Sequence, residues 1–447
     1  MTKFKKLVSL AVAVSITVSL LAGCGGGAVR DNTAAEPQQG KEQGEAKASE
    51  KKKLVFFGLN DFDTPDFFKE FEEKNNVTVQ KILQPSDKFK EAFIVAMNGG
   101  QQLDVGMING QDVRSYATKG ILADLTEDVK YLDRFYESSA KQYVINGKLY
   151  ALPSVTIWNM CLFYNKDIFA KYNLQAPKTY EDVLTANRVL SQNGIASIAV
   201  GAANAYDLTN WFFVNYFQAS GNKGMERTIE TLRGKAKFTD PDYVEAMGYV
   251  QKYAKDGLFQ KGFLGADSAA RIAAFASGKT AMYYGGNWDI TSLVKAGLKI
   301  ESIGAVNWPQ MKDGVKQQVS GTAAGAATCI YTKSARENKE LSLKLIDYLT
   351  SDEMNMKCNQ KMGTFLSTNK NVKIPGIDPL NQQIQDELVP TVVTFLDWYW
   401  PPEVTKVFAE ELQAVMAQKD TPEAAMEKVQ KAFDDLVVKG YSYDAVE

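Results

Sequence analysis

Short apolar runs and helical patterns alternate along the chain from Leu54 onward, and this alternation restricts the possible folds more than any other feature of the sequence. Residues 54–57 (LVFF) form a continuous apolar run, which is typical of a strand that is covered on both faces. The alternation continues with a helical pattern at 64–71, a strand pattern at 77–79, a helical pattern at 86–97 and a strand pattern at 103–108. This β-α-β-α-β order predicts an α/β fold with mostly parallel sheets flanked by helices.

The length of 447 residues indicates more than one hydrophobic core, since single cores stop growing beyond about 250–300 residues. Hydrophobic residues make up 45% and charged residues 23% of the chain, which is an ordinary globular composition. The 51 basic and 53 acidic residues nearly cancel, and no strongly basic stretch predicts binding to nucleic acid. We therefore expect two globular lobes, a monomeric chain and no nucleic-acid partner.

The chain contains no histidine, which limits the chemistry that it can perform. The absence excludes Ser-His-Asp and Cys-His nucleophile systems and any zinc site with imidazole ligands. Apart from Cys24, the cysteines are Cys161, Cys329 and Cys358; these three cannot all pair, and none stands in a CxxC spacing. The sequence thus predicts no cofactor and no resident metal site, and it leaves ligand binding and carboxylate-based chemistry open.

The first 23 residues have the pattern of a secretory signal peptide. Three lysines in the first six residues precede an apolar run at 7–22, which is shorter than the roughly 20 residues of a membrane span. The run ends in LAGC at 21–24, which resembles the lipobox of bacterial lipoproteins. The resemblance implies cleavage before Cys24 and acylation of its thiol, and so a lipid anchor on the outer face of the cell membrane. The alternative is an ordinary signal peptide with an incidental cysteine.

Residues 24–53 are predicted to be a flexible tether that follows the lipidated cysteine. Gly, Ala, Glu, Gln and Lys dominate this stretch, and it has almost no large apolar side chains. Such a composition cannot bury enough surface to offset the entropy of an ordered chain. The folded part is therefore expected to begin near Leu54.

Four short motifs stand out in the folded part of the chain. They are GKLYALP at 147–153 with LFYNKDIF at 162–169, PKTYEDVL at 177–184, FASGKTAM at 275–282 with GNW at 286–288, and IDYLTSDE at 346–353. These motifs resemble those of the family 1 extracellular solute-binding proteins, of which maltose-binding protein is a member. Order and spacing agree over about residues 54–439.

This resemblance implies two α/β lobes with a ligand cleft between them, joined by three crossings of the chain near 157–163, 304–309 and 364–370. It implies the substrate-binding component of an ABC importer, which closes by hinge motion and delivers a sugar or oligosaccharide to permease subunits in the membrane. The expected lobes comprise residues 54–160 with 307–367, and residues 161–306 with 368–447.

Tryptophans are the first candidates for ligand contact, because a flat aromatic face covers the C–H face of a sugar ring. Trp288 follows an apolar strand and matches a cleft tryptophan of the family. Trp158 lies at the first expected crossing, where hinge packing is the alternative. Trp398 and Trp400 belong to an aromatic cluster, and Trp211 lies in an apolar stretch that also suits a core; packing is the alternative for all three.

Polar side chains near the expected strand ends are the second group of candidates, because amides and carboxylates form paired hydrogen bonds with sugar hydroxyls. They follow the first strand, the third strand, the strand before Trp288, or the Trp398–Trp400 cluster. Asn60 and Asp61 match family positions that bond sugar. The group comprises Asn60, Asp61, Asn109, Gln111, Asp112, Asn287, Asp289 and Glu403.

Two other functions compete with sugar binding. Tyr283 and Tyr284 resemble the paired tyrosines of ferric-ion binding proteins, so a metal- or oxyanion-binding importer component is one alternative. Within a strand, however, neighbouring side chains point to opposite faces. A secreted glycosidase is the second alternative, since two carboxylates about 5–9.5 Å apart would suffice for hydrolysis. No glycosidase signature is present, and we expect no enzymatic activity.

Overall fold

The computed structural model describes residues 51–59, 66–84, 86–154, 156–203, 208–322, 324–362 and 366–443. The predictions for the signal peptide, for the Cys24 anchor and for most of the tether lie outside these residues, as do those for Asn60 and Asp61. None of the helices in the described ranges is long and apolar enough to cross a membrane.

The strands of the described residues are β1 Lys52–Leu59, β2 Val77–Gln84, β3 Val105–Asn109, β4 Val144–Ile145, β5 Lys148–Leu149, β6 Leu152–Pro153, β7 Trp158–Asn165, β8 Ala196–Ala199, β9 Thr280–Gly286, β10 Ile303–Val306, β11 Val319–Thr322, β12 Ala326–Ile330 and β13 Val392–Thr394.

The α-helices are α1 Asp66–Asn75, α2 Ser86–Asn98, α3 Val113–Thr118, α4 Glu137–Lys141, α5 Lys166–Lys171, α6 Tyr180–Gln192, α7 Thr209–Ala219, α8 Gly224–Leu232, α9 Pro241–Lys255, α10 Ser268–Ala276, α11 Ile290–Lys295, α12 Ser334–Glu337, α13 Lys339–Leu349, α14 Asp352–Met362, α15 Pro379–Gln383, α16 Pro402–Met416 and α17 Pro422–Val438. Single 3₁₀ turns lie at Gly110–Asp112, Leu132–Arg134, Phe263–Gly265, Asn287–Asp289, Ile300–Ser302, Val389–Thr391 and Leu396–Trp398, and a π-helical turn lies at Ile384–Leu388.

The first sheet has the strand order β2-β1-β3-β12-β6. Strand β1 pairs in parallel with β2 and β3, and β12 closes the sheet as an antiparallel neighbour of β3 and β6. The apolar run at 54–57 is buried within β1, as the sequence predicts for a strand covered on both faces. The β-α-β-α-β order predicted from the sequence is confirmed in β1, α1, β2, α2 and β3.

The second sheet has the order β13-β11-β7-β9-β8, and β10 also pairs with β7. Strands β8 and β9 are parallel to each other, as are β11 and β13. Strand β7 runs antiparallel to β9, β10 and β11. The two α/β lobes predicted from the family resemblance are confirmed, and the second sheet is a mixed one built around β7.

The buried apolar side chains form separate clusters that follow this division. One cluster draws its members from residues 54–152 and 324–358 and packs against the first sheet. Two further clusters draw theirs from residues 157–308 and 366–443 and lie on the two faces of the second sheet. Each sheet therefore has its own hydrophobic core. Cys161, Cys329 and Cys358 are buried in these cores without disulfide bonds.

The second crossing of the chain from one lobe to the other, the second passage, lies later in the chain than the family resemblance predicts. The resemblance places it near 304–309, with residues from 307 onward in the first lobe. Instead, β11 pairs with β7 in the second sheet and β12 pairs with β3 in the first, so the chain crosses between Thr322 and Ala326. The intervening loop stays on the second lobe, where the Asn222 and Gln218 side chains bond to backbone groups of Lys316 and Met311.

Candidate functional site

The carboxyl end of β3, the start of β7 and the passage between Thr322 and Ala326 meet at one place. The Gly110 N–H donates to the Gly325 carbonyl oxygen at 3.2 Å, which joins the first lobe to the passage. Gly325 in turn lies directly against the indole of Trp158, because a Cβ added to it would stand only 2.0 Å from ring atoms. The absence of a side chain at Gly325 therefore lets the passage approach Trp158.

Trp158 and Trp288 form an angled pair of indoles at this place. Their ring centroids are 5.4 Å apart, with 51° between the ring planes. Trp158 is half-buried, whereas Trp288 is 36% exposed at the end of β9. The pair thus combines a half-buried ring with a ring that is partly exposed, and contact of either ring with a ligand stays a prediction.

Trp398 and Tyr399 approach the same place from the second lobe. Trp398 packs on Phe395, with 5.3 Å between ring centroids, and lies against Gly110, where an added Cβ would be 2.9 Å from the indole. The guanidinium of Arg114 lies 5.7 Å from the ring centre of Tyr399. Aromatic side chains of the second lobe therefore contact the first lobe directly beside the Trp158–Trp288 pair.

The polar candidates of the first lobe lie at the carboxyl end of β3. Asn109 is buried, while Gln111 and Asp112 are half-buried in the 3₁₀ turn that follows. Burial raises the pKa of the Asp112 carboxyl above its ordinary value, and the positive charges of Lys90 and Lys119 oppose that rise. Gln111 borders a small space of about 30 Å³ that Trp398 also lines. The Gln111 residue therefore lies beside the Trp398 indole, whereas the charged neighbours of Asp112 are the two lysines.

Asn287 and Asp289, both predicted as ligand contacts, have buried side chains that bond within the protein. The Asn287 carboxamide donates to the Ile157 carbonyl oxygen and accepts from the Asn159 N–H. The Asp289 carboxylate accepts from the Tyr283 hydroxyl at 2.8 Å and from the Gly286 N–H at 3.2 Å. These two side chains hold the turn that carries Trp288 and do not face the open side of its ring.

Trp211 and Trp400, also predicted as ligand contacts, belong to the core. Trp211 is 2% exposed and packs edge-on against Tyr253, Tyr284 and Trp308. Trp400 is 4% exposed and packs against aromatic side chains of the second lobe, namely Phe213, Phe238 and Phe408. Both tryptophans lie in the core for the same reason. Helix α7 is buried on nearly every side; it contains Trp211, and Trp400 packs against its Phe213. Glu403, the remaining candidate, is exposed in the first turn of α16.

Gln142 and Tyr143 are site residues that the sequence analysis missed. The Gln142 carboxamide oxygen accepts from the Thr322 hydroxyl at 2.6 Å and from the Ala324 N–H at 3.1 Å. The Tyr143 hydroxyl donates to the Ala324 carbonyl oxygen at 2.7 Å. Both side chains therefore fix the passage that carries Gly325. The one sequence feature that could have indicated them is the run of small residues at 321–328, because side chains from elsewhere in the chain must pack against such a run.

Asp397 was also missed, although it directly precedes Trp398. Its carboxyl group is buried and accepts from the Thr209 hydroxyl at 3.2 Å. Burial raises its pKa to about 7, and the Thr209 hydrogen bond opposes that rise. A carboxyl group whose pKa is raised by burial thus directly precedes Trp398 in the chain.

A larger cavity of about 700 Å³ is lined by residues of both lobes. Ile157 belongs to the cluster on one face of the second sheet and lines this cavity, whereas Trp158 packs against the cluster on the opposite face. Gln142 of the first lobe and Tyr399 of the second lobe also line it. Because these two residues also line the small space beside Gln111, the cavity adjoins the site.

Tyr283 and Tyr284 do not converge on a common site. Tyr283 donates to Asp289 on one face of β9, and Tyr284 donates to the Asn210 carbonyl oxygen at 3.4 Å from the other face. Both rings are buried, in different clusters. The described ranges hold no group of three cysteine, aspartate or glutamate side chains placed to bind a metal ion. The paired-tyrosine arrangement of the metal hypothesis is therefore not formed.

The structure has two α/β lobes, three passages between them and, at their junction, an aromatic surface formed by Trp158, Trp288, Trp398 and Tyr399. These features define a two-lobed ligand-binding protein. Comparison of the sequence with known families identifies it further: the profile of the bacterial extracellular solute-binding proteins matches residues 66–386, and the chain belongs to this family.

Two relatives of the chain are named as sugar-binding proteins. A galactooligosaccharide-binding protein of Bacillus subtilis (strain 168) is 25% identical over 297 residues, which cover 63% of this chain and 64% of that relative, slightly less than two thirds of its length. A multiple sugar-binding protein of Streptococcus mutans serotype c is 22% identical over 368 residues, covering 78% of this chain and 79% of the relative. The solved structure of a chitin oligosaccharide binding protein matches with a TM-score of 0.73 at 21% identity, over 84% of this chain and 95% of the other. This structural likeness establishes the shared fold.

Proposed function

We propose that this protein is the extracellular substrate-binding component of an ABC importer and that it captures a sugar or an oligosaccharide between its lobes. The observation that carries the proposal is the Trp158–Trp288 pair, whose outer ring is 36% exposed at the junction of the lobes. Aromatic faces of this kind cover the C–H face of a sugar ring at small entropic cost. The relatives named for galactooligosaccharide and multiple-sugar binding support the same ligand class.

The polar groups beside the aromatic surface suit the same ligand. Gln111 and Asp112 present an amide and a carboxyl group at the end of β3, and such groups form hydrogen bonds with sugar hydroxyls. Asn60 and Asp61 remain proposed contacts by family resemblance. Ligand capture would draw the lobes together about the three passages, as in other hinged binding proteins.

We further infer that the protein binds its ligand without chemical turnover and acts as a monomer next to permease subunits. Incubation with oligosaccharides followed by a reducing-end assay tests the first point: an increase in reducing ends above that of a boiled control would favour the glycosidase alternative. Binding of ferric ion or an oxyanion is the second alternative, and the divergent Tyr283 and Tyr284 side chains argue against its metal form.

The lipobox-like LAGC at 21–24 supports an anchor at Cys24 that holds the protein on the outer face of the membrane. Replacing Cys24 with serine removes the thiol that would be acylated. Radiolabelled palmitate is expected to label the wild-type protein and not the Cys24→Ser variant; equal labelling of both would contradict the anchor.

A thermal-shift screen tests the proposed ligand class. The probes are galactooligosaccharides, chitin oligosaccharides and maltose, with sn-glycerol 3-phosphate and ferric citrate representing the alternatives. A ligand at 100 times its Kd stabilises the native state by about 2.7 kcal/mol, which is well resolved as a rise in Tm. We expect a saccharide to raise Tm; a rise with the phosphate or the iron probe alone would contradict the proposal.

A further inference from the structure

Trp288 is 36% exposed, although both of its neighbours in the chain are buried and hydrogen-bonded within the protein. It is the middle residue of the 3₁₀ turn Asn287–Asp289, and the residues on both sides of it are buried. Packing against Trp158 covers part of its ring. The orientation of the exposed part therefore depends on how firmly the two flanking side chains hold the turn.

Asn287 ties the turn to the strand that carries Trp158. Its carboxamide nitrogen donates to the Ile157 carbonyl oxygen at 3.1 Å, and its carboxamide oxygen accepts from the Asn159 N–H at 2.9 Å. These two backbone groups lie on either side of Trp158. The carboxamide thus fixes the position of one indole relative to the other.

Asp289 ties the other end of the turn to β9 and α10. Its Oδ2 accepts from the Tyr283 hydroxyl and from the Gly286 N–H, and it lies 3.6 Å from a terminal nitrogen of Arg271. The Arg271 guanidinium also lies over the Tyr283 ring at 5.1 Å. Both charged side chains are 11% exposed, so water screens their interaction only weakly.

The two glycines before the turn make this arrangement possible. A Cβ on Gly285 would stand 2.6 Å from the Asp289 carboxylate and closer still to the Tyr283 ring. A Cβ on Gly286 would stand 2.4 Å from the Trp288 indole. The sequence GGNWD therefore leaves room both for the carboxylate and for the ring that it helps to orient.

We propose that Asn287, Asp289 and Arg271 are positioning residues, which set the angle between Trp158 and Trp288 and thereby the affinity for the ligand without touching it. The ligand part of this inference rests on the proposed function. The geometric part does not, since the relative orientation of two neighbouring indoles can be measured in the free protein.

Circular dichroism tests the geometric part. Two indoles in contact couple electronically, and the difference spectrum between wild type and Trp288→Phe isolates the contribution of this pair. We expect Asp289→Asn, Asn287→Ala and Arg271→Lys each to lose most of that contribution. The matched control is Asp256→Asn, because Asp256 accepts from the Tyr180 hydroxyl at 2.6 Å and from Lys252 at 2.9 Å in a similar network elsewhere. The control is expected to keep the full signal.

Calorimetry with a galactooligosaccharide mixture tests the ligand part. We expect each positioning variant to bind about tenfold more weakly, a change of about 1.4 kcal/mol in binding free energy, and Asp256→Asn to bind like wild type. If wild type binds no saccharide, the proposed function fails and the dichroism still decides the geometry. Unchanged dichroism in Asp289→Asn and Arg271→Lys would overturn the proposal, and so would lost dichroism with unchanged affinity. If Asn287→Ala fails to fold, the other two variants decide the outcome.

Discussion

Trp288 and Trp400 share a residue type and differ in exposure, 36% against 4%, and this difference separates their expected roles. Trp288→Ala removes a surface ring of the kind that contributes about 2 kcal/mol or more to binding, which weakens affinity by about 30-fold. The melting temperature of the Trp288→Ala variant without ligand is expected to differ from that of wild type by only a few degrees.

Trp400→Ala is the matched control, since it removes an indole from among the buried rings of Phe213, Phe238 and Phe408. We expect a loss of about 3–5 kcal/mol of stability, as for other buried aromatic side chains. Calorimetry and thermal unfolding on both variants check the pair. Near-normal affinity together with a large loss of stability in Trp288→Ala would assign Trp288 to the core.

Gly325 gives a second test at the level of one residue. A Cβ there would stand 2.0 Å from the Trp158 indole, so Gly325→Ala must displace either the ring or the passage. We expect a lower Tm and weaker ligand binding. Gly248→Ala is the control: Gly248 lies within α9, nothing stands within 4 Å of its Cβ position, and alanine there stabilises a helix by about 0.5–1 kcal/mol. Equal effects of the two substitutions on Tm would contradict the close contact.

The 3₁₀ turn Leu396–Trp398 contains both a titratable carboxyl group, that of Asp397, and an indole of the candidate site, that of Trp398. Burial raises the pKa of Asp397 to about 7 from an ordinary value of 3.8, so the folded state keeps a proton that the unfolded state releases. Its stabilising contribution is therefore fully present below about pH 4 and is lost as the pH rises toward 7.

Asp397→Asn replaces the titrating group by a neutral side chain that can still accept from Thr209. The variant is expected to gain stability relative to wild type as the pH rises from 5 to 8, by about 2.7 kcal/mol, because about two pKa units at 1.36 kcal/mol each lie between pH 5 and the pKa of Asp397. Asp420→Asn is the control: the hydrogen bond from Lys428 lowers the pKa of Asp420, so its contribution to stability is lost only below about pH 4 and stays constant between pH 5 and 8. Thermal unfolding at pH 5 and at pH 8 compares the two variants with wild type. A difference in Tm between Asp397→Asn and wild type that does not change with pH would contradict the buried, titrating carboxyl.

Elements were predicted well where a pattern is local. The apolar run at 54–57 and the helical pattern at 86–97 depend on a few neighbouring residues, and both are formed as expected, in β1 and in α2. The second passage between the sheets was placed too early because its position depends on β11, a strand of four residues whose place in the second sheet is fixed by pairing with β7 and β13. Pairing between segments this distant leaves no local pattern.

The same limit applies to the candidate site. Residue type and position made Trp158 and Trp288 candidates, since one begins β7 and the other follows β9, and their contact with a ligand stays a prediction. Residue type could not separate Trp288 from Trp211, whose burial depends on the rings of Tyr253 and Trp308 brought to it by the fold. Nor could it show that Asp289 bonds inward, since its partner Arg271 lies on another element.

At the scale of the whole molecule, the third passage between the lobes is held by helix α14. The Ser367 hydroxyl donates to the Asn355 carboxamide oxygen at 2.7 Å, and the Asn369 carboxamide donates to Asp352 at 2.6 Å. Asn355→Ala is expected to cost about 1–3 kcal/mol, as does an unsatisfied buried polar group. Amide hydrogen exchange of residues 367–369 should quicken while that of α17 stays the same. Equal protection in variant and wild type would contradict this anchoring role.

Small-angle X-ray scattering can test whether a saccharide is captured between two lobes that move about these passages. The protein is measured with and without a saturating saccharide from the thermal-shift screen. We expect a smaller radius of gyration in the presence of the saccharide, with unchanged secondary structure. Identical scattering curves at a concentration where calorimetry shows full saturation would contradict it.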